Sequence, residues 1–129
     1  MRTLIIATVL CFIFSISYTE TNIKQTGTFS NLQYHKEAGD LLGFEIRVVL
    51  TRNGYEGTFQ AAEGGPGSLV LLREITIKDN TIKFVIPKSS TFAGEFMGKL
   101  EEVSLKGTLT LRNGNKITLT LERRRSYWD

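Results

Sequence analysis

The sequence predicts an all-β protein, a small up-and-down antiparallel β-barrel of about eight strands. Apolar residues alternate with Thr and Lys over residues 103–111 and again over residues 117–123, which is the period of strands with one buried face. Asn113-Gly114 between the two runs supplies a tight turn and so predicts a hairpin. Short alternating runs of the same kind recur from Gly27 onwards. A barrel joins such strands without leaving an open edge, and a two-sheet β-sandwich is the alternative.

The N-terminal stretch predicts an export signal. A single positive charge precedes an almost wholly apolar run over residues 4–14. Ser15 and Ser17 then have the spacing of a signal-peptidase site. The run is shorter than the about 20 apolar residues that a membrane-spanning helix needs. We therefore predict a signal helix over residues 1–17, cleaved after Ser17 or Thr19, with an uncleaved membrane anchor as the alternative.

The cysteine count and the charge limit the compartments and the partners that are expected for this protein. Cys11 is the only cysteine and would leave with the signal, so the mature chain would hold no disulfide, which is typical of a bacterial periplasmic or secreted protein with a self-sufficient core. The formal net charge is +3 with interspersed signs, which favours no nucleic-acid partner. The run Arg123-Arg124-Arg125 predicts a frayed strand end with solvated arginines, and an anionic binding surface is the alternative. No stable membrane insertion is expected after signal cleavage.

These observations predict four parts of the chain: a signal over residues 1–17, a linker over 18–26, a barrel over 27–125 and a tail over 126–129. Eight strands are predicted in order, at residues 27–34, 44–51, 55–62, 69–78, 82–86, 92–100, 103–111 and 117–123. Residues 35–43 are polar and predict a loop. Pro87 ends the fifth strand because proline lacks the N–H that continues a ladder. Arg73 falls on the apolar side of the fourth strand, so a bulge is expected near Arg73-Glu74.

The predicted inward face is bulky and apolar, which favours a filled barrel over a hollow one. Its members by alternation are Phe44, Ile46, Val48, Leu50, Tyr55, Phe59, Leu69, Ile75, Ile77, Ile82, Phe84, Ile86, Phe96, Leu109, Leu119 and Leu121. A small hydrophobic ligand inside the barrel is the alternative. The candidate residues for lining such a ligand, or for the core, are Phe44, Ile46, Val48, Tyr55, Phe59, Phe84, Phe96, Leu109 and Leu119.

No constellation of residues predicts catalysis, a metal or a cofactor. His35 is the only histidine, and a Ser-His-Asp arrangement would have to use it with Ser30 and Asp40. No oxyanion-hole signature accompanies them. One histidine and no mature cysteine leave only carboxylates as metal ligands. The glycine-rich residues 64–67 lack the lysine of a phosphate loop.

The order of several short motifs resembles a family of uncharacterised bacterial lipocalin-like β-barrel domains. These motifs are Gly27-Thr28-Phe29, Gly54-Tyr55-Glu56-Gly57-Thr58, the run from Ile75-Thr76-Ile77 to Phe84, Phe92-Ala93-Gly94-Glu95-Phe96, Leu105-Lys106-Gly107-Thr108-Leu109 and Leu119-Thr120-Leu121-Glu122-Arg123. In longer relatives such a domain precedes an α/β-hydrolase domain, but this chain contains no G-x-S-x-G elbow, so no catalytic residue carries over.

The resemblance also implies a barrel-closing pair. Lipocalin-like barrels often pair a first-strand tryptophan with an arginine from the last strand. In this chain Phe29 stands at the tryptophan position, and Arg123 would be the arginine. We therefore expect the last strand to pair with the first, with residues 117–123 beside residues 27–33.

The predicted function is that of an exported, non-enzymatic interaction or accessory domain that works through its outer surface. The alternative is a lipocalin-like carrier with a small hydrophobic ligand inside the barrel. The expected partner is accordingly another exported protein or a hydrophobic small molecule.

Overall fold

The computed structural model describes residues 22–129, which form ten β-strands and no helix. The predicted signal over residues 1–17 and the start of the predicted linker lie outside this range. Within it, no helix is long and apolar enough to cross a membrane. The strands are β1 Gly27–Ser30, β2 Gln33–His35, β3 Asp40–Thr51, β4 Gly54–Gly64, β5 Val70–Leu71, β6 Arg73–Lys78, β7 Thr81–Ile86, β8 Gly94–Leu100, β9 Ser104–Leu111 and β10 Lys116–Arg123.

All strands belong to one antiparallel sheet that curls into a nearly closed barrel. Nine of them follow the order β5-β4-β3-β1-β10-β9-β8-β7-β6, and β2 pairs with β3 beside β1. The pairing of β1 with β10 joins the two ends of the chain, with Phe29 opposite Arg123 and Ser30 opposite Glu122. A sandwich would divide these strands between two sheets, so the barrel prediction is confirmed and the sandwich alternative is wrong for the described residues.

The ten strands correspond to the eight predicted ones, because two predicted strands are each broken in the middle. The first break separates β1 from β2 at Asn31. The Asn31 N–H donates to the Phe44 carbonyl at 3.0 Å, and its side-chain Oδ1 accepts from the Phe44 N–H at 2.7 Å. Leu32 then donates its N–H to the Ser30 hydroxyl. Side-chain oxygens of Asn31 and Ser30 thus accept two of the main-chain N–H groups at this point, and pairing with β10 reaches only Ser30 rather than residue 33.

The second break is the predicted bulge between β5 and β6. Glu74 has φ 54°, and the pairing register with β7 shifts between Arg73 and Thr76. An extra residue reverses which side of the strand faces inward. Val70 and Leu72 are therefore buried before the bulge, while Arg73 is exposed.

The same broken strand spans the gap between β4 and β7 on the other side of the nearly closed barrel. Its first half pairs with β4 and its second half with β7. The Leu72 N–H donates to the Gly57 carbonyl at 2.9 Å. A Cβ on Gly57 would lie 3.1 Å from Leu72 Cδ1 and 3.2 Å from Ile75 Cδ1. Because Gly57 has no side chain, Leu72 and Ile75 can both pack closely against β4.

The predicted loop over residues 35–43 is wrong, because most of it is a hairpin. β2 and β3 pair from Gln33 opposite Leu42 to His35 opposite Asp40. The turn closes through the Gly39 N–H, which donates to the His35 carbonyl at 2.9 Å, and Gly39 has φ 73°. The β2 residues are all exposed, so this hairpin carries no apolar alternation that could have revealed it.

The barrel interior is one packed apolar cluster to which every strand from β3 to β10 contributes, together with Phe29 of β1. Two residues of the predicted inward set do not belong to it: Leu50 and Leu69 are each 65% exposed. Leu50 has the inward phase but lies at the end of β3, beyond the packed interior. Leu69 precedes the bulge, where the phase is opposite to the one that Ile75 and Ile77 follow.

Candidate functional site

The residues tested for catalysis do not form a site. His35 and Asp40 lie opposite each other in the exposed β2–β3 hairpin. Ser30 is fully buried, and its hydroxyl accepts the Leu32 N–H, so it cannot meet a substrate together with His35. Within residues 22–129 no group of three or more His, Cys, Asp or Glu side chains could hold a metal ion.

The candidate ligand-lining residues are packed against one another. Phe84 and Phe96 stack with ring centroids 4.7 Å apart, and Phe44 stacks on Phe59 at 5.9 Å. Phe92 adds an edge-on contact to Phe44 at 5.0 Å. The other candidates, Ile46, Val48, Leu109 and Leu119, are buried in the same cluster, and Tyr55 packs against it. Aromatic rings thus occupy the volume in which a carrier would hold its ligand.

The structure brings the predicted closing pair together. The Arg123 guanidinium carbon lies 4.6 Å from the centroid of the Phe29 ring, and Phe29 is fully buried. A guanidinium over an aromatic face is attracted by the ring quadrupole. Since β1 and β10 contribute one residue each, this contact ties the first strand to the last.

Arg123 also donates hydrogen bonds to main-chain carbonyls on both sides of the β1–β10 pair. Its guanidinium donates to the carbonyls of Thr26 at 2.7 Å, Lys24 at 2.6 Å and Glu102 at 3.0 Å. Burial lowers the pKa of Arg123 from its ordinary value, and arginine stays charged despite such shifts. One side chain thus fastens the segment before β1 and the turn before β9 to β10.

The residues after β10 are docked on the barrel, which corrects the predicted frayed end. The buried Glu45 carboxylate accepts the Ser126 hydroxyl at 2.5 Å and the Tyr127 N–H at 2.9 Å. The Arg124 guanidinium donates to the Leu32 carbonyl at 2.7 Å. Arg124 and Arg125 are both exposed, as the predicted solvated state requires, but Arg124 is also held by its hydrogen bond. The docking of Ser126 and Tyr127 could not be predicted from the sequence, because the alternation in this strand makes Glu45 look like any other outward-facing residue.

The docked tail completes an apolar patch on the outside of β3, β4 and β5. Trp128 donates its indole N–H to Gln60 Oε1 of β4 at 2.8 Å. Gln60 also donates to the Gly67 carbonyl at 2.9 Å, in the loop before β5. We define the outer apolar patch as Val49, Leu69, Leu71 and Trp128, whose exposed fractions are 41%, 65%, 72% and 53%.

The strand register places Val49, Leu69 and Leu71 on the same outer face of the sheet, with Arg47, Glu56 and Thr58 beside them. Leu71 pairs with Thr58, which pairs with Arg47. Val49 and Leu71 line the same shallow groove of about 280 Å³. Alternation along β5 puts Leu69 on the side of Leu71, next to the Gln60 that holds Trp128. Exposed apolar side chains that are grouped on one face are a feature of interaction surfaces in soluble proteins.

Comparison with known proteins gives no match: no family model, no curated protein and no solved structure is significantly similar to this chain.

The docking of the tail can be tested through Trp128, the only tryptophan. Replacing Glu45 by Ala removes both acceptors that hold Ser126 and Tyr127. We expect acrylamide quenching of Trp128 to increase and its fluorescence anisotropy to fall. We also expect the free energy of unfolding to drop by about 1–2 kcal/mol, as for lost hydrogen bonds to a charged group. Glu56→Ala, an exposed carboxylate on β4, is the matched control, and equal quenching in the two variants would contradict the docking.

Proposed function

We propose that the protein is an exported, non-enzymatic β-barrel that acts as an interaction or accessory domain through its outer surface. The observation that carries this proposal is the outer apolar patch of Val49, Leu69, Leu71 and Trp128, exposed beside an interior filled by its own side chains. Export is supported by the apolar run over residues 4–14 and the Ser15 and Ser17 pair.

The occupant of the patch that we propose is the apolar surface of a second exported protein. Large aliphatic and tryptophan side chains are the anchors that dominate protein–protein interfaces, and a polar rim usually surrounds them. Arg47, Glu56 and Thr58 line the groove beside Val49 and Leu71 and supply such a rim. Trp128 is held in place by Gln60, so little side-chain freedom would be lost when a partner covers it.

Membership of the lipocalin-like family belongs to the same proposal. It is supported by the single, nearly closed sheet and by the position of Arg123 over Phe29, which matches the arrangement that the resemblance implies. The carrier function of such barrels would require the interior rings to make room for a ligand, and the packed cluster offers no observation in its favour.

Photo-crosslinking in cells that export the protein tests the proposal. A p-benzoylphenylalanine at position 71 should give one discrete adduct with another protein after irradiation. The same group at position 99, on the exposed Lys99 of β8, should give none. Native mass spectrometry of the purified protein should show an apo mass and a mature N-terminus between Tyr18 and Asn22.

Three results would overturn parts of this proposal. An adduct of twice the chain mass would make the occupant a second copy of the chain. A retained apolar compound in the native mass would favour the carrier instead. A mass that includes Met1 would contradict signal cleavage.

A further inference from the structure

A groove on the other side of the barrel brings three cationic side chains together. It has a volume of about 760 Å³ and lies near the ends of β7, β8 and β9. Arg73 begins β6, Lys88 follows β7 and Arg112 follows β9, so the three cations come from separate parts of the chain. Glu95 is the only carboxylate in the groove lining.

None of the three cations forms an ion pair within the described residues, although Glu95 lines the same groove. Within residues 22–129 the only ion pair is Lys106 with Glu101, at 3.3 Å. Arg73, Lys88 and Arg112 therefore have no acidic partner within bonding distance in that part of the chain. Three unpaired cations around one cleft raise the local potential and concentrate anions there.

Between the cations, the groove is lined mostly by apolar and neutral groups. Val85 pairs with Glu95, and Glu95 with Thr110, so these three outward side chains form a row across β7, β8 and β9. Pro87 and Leu111 continue the lining, and Gly94 adds no side chain. A Cβ on Gly94 would lie 2.1 Å from the Thr110 carbonyl oxygen, so no larger residue could occupy this position without moving the strand.

From this geometry we propose that the groove binds an amphiphilic organic anion, with its acidic group between Arg73, Lys88 and Arg112 and its apolar body against Val85, Pro87 and Leu111. The volume falls within the range of about 300–1,000 Å³ that is usual for small-ligand sites. A second groove of about 440 Å³ shares Val85, Glu95 and Thr110 with the first, but Glu74 and Lys83 also line it, so the apolar body is assigned to the first groove alone. This site is separate from the outer apolar patch.

Fluorescence titration with 8-anilinonaphthalene-1-sulfonate, an amphiphilic anion, tests the proposal. One molecule should bind per chain, and dodecanoate should displace it, whereas inorganic phosphate at the same concentration should not. Arg73→Ala and Arg112→Ala should each weaken binding about tenfold, which corresponds to about 1.4 kcal/mol. Both residues are exposed, so these variants should keep the wild-type unfolding midpoint.

Matched controls separate this groove from other surfaces. Lys99→Ala removes an equally exposed cation elsewhere on β8 and should leave affinity unchanged. Leu71→Ser alters the outer apolar patch and should also have no effect. The proposal is overturned if Leu71→Ser abolishes binding, if Lys99→Ala weakens it as much as Arg112→Ala, or if no binding occurs. Equal affinity for the uncharged N-phenyl-1-naphthylamine would overturn recognition of the acidic group.

Discussion

Replacing Phe96 by Ala should lower the free energy of unfolding by about 3–5 kcal/mol, as truncation of buried aromatic residues does. Phe96 is 2% exposed and stacks on Phe84 with an interplanar angle of 15°. Glycines make room for its ring: a Cβ on Gly98 would lie 2.7 Å from a ring carbon, and one on Gly107 2.6 Å from another. These glycines have no side chains that could refill the space that alanine leaves, so a cavity should remain.

A urea titration measures this effect, with Glu95→Ala as its control. Glu95 is the preceding residue of β8 and is exposed on the outer face, so its loss should cost under about 0.5 kcal/mol. Similar losses in the two variants would mean that the inward and outward faces of β8 are assigned the wrong way round.

Replacing Arg123 should have the second largest effect, because this residue fastens the first strand to the last. Arg123→Ala should cost about 2–4 kcal/mol, since it removes the contact with Phe29 and charge-assisted hydrogen bonds to main-chain carbonyls. Arg123→Lys should recover only part of this, because a compact ammonium neither stacks on the ring nor donates in several directions. Arg125→Ala, at an exposed position, should change stability by less than about 0.5 kcal/mol.

A double-mutant cycle with Phe29→Leu and Arg123→Lys isolates the contribution of the pair. The coupling free energy should be about 0.5–2 kcal/mol. Zero coupling would show that the guanidinium acts through its hydrogen bonds alone. Arg124 is not a neutral control, because its guanidinium donates to the Leu32 carbonyl.

The alternation of apolar residues was sufficient to predict the all-β class, the order of the strands and most of the core. It works because each strand of a barrel with a filled interior has one buried face, which repeats every second residue. Local turn chemistry was equally readable: Gly114 has φ 88°, and Asp79 and Asn80 have φ 51° and 60°. The motif resemblance pointed to the pair of Phe29 and Arg123, although these residues are far apart in sequence.

The hairpin of β2 and β3 could not be predicted, since all three residues of β2 are exposed and show no apolar alternation. The prediction that Leu69 faces inward is wrong because the phase of the strand before the bulge depends on its neighbouring strands. The same prediction for Leu50 is wrong because the extent of the packed interior also depends on neighbouring strands, not on the segment itself.

The candidate binding surfaces were decided by tertiary structure alone. Glu45 and Ser126 meet only because β3 lies beside β1 and β1 beside β10. Arg73, Lys88 and Arg112 surround one groove only because β6, β7, β8 and β9 are neighbours in the sheet. By itself, the sequence determined which side of most strands is buried, because burial follows a local period. The grouping of side chains on the outer surface depends on pairing between strands that are distant in sequence. A local sequence pattern therefore cannot predict it.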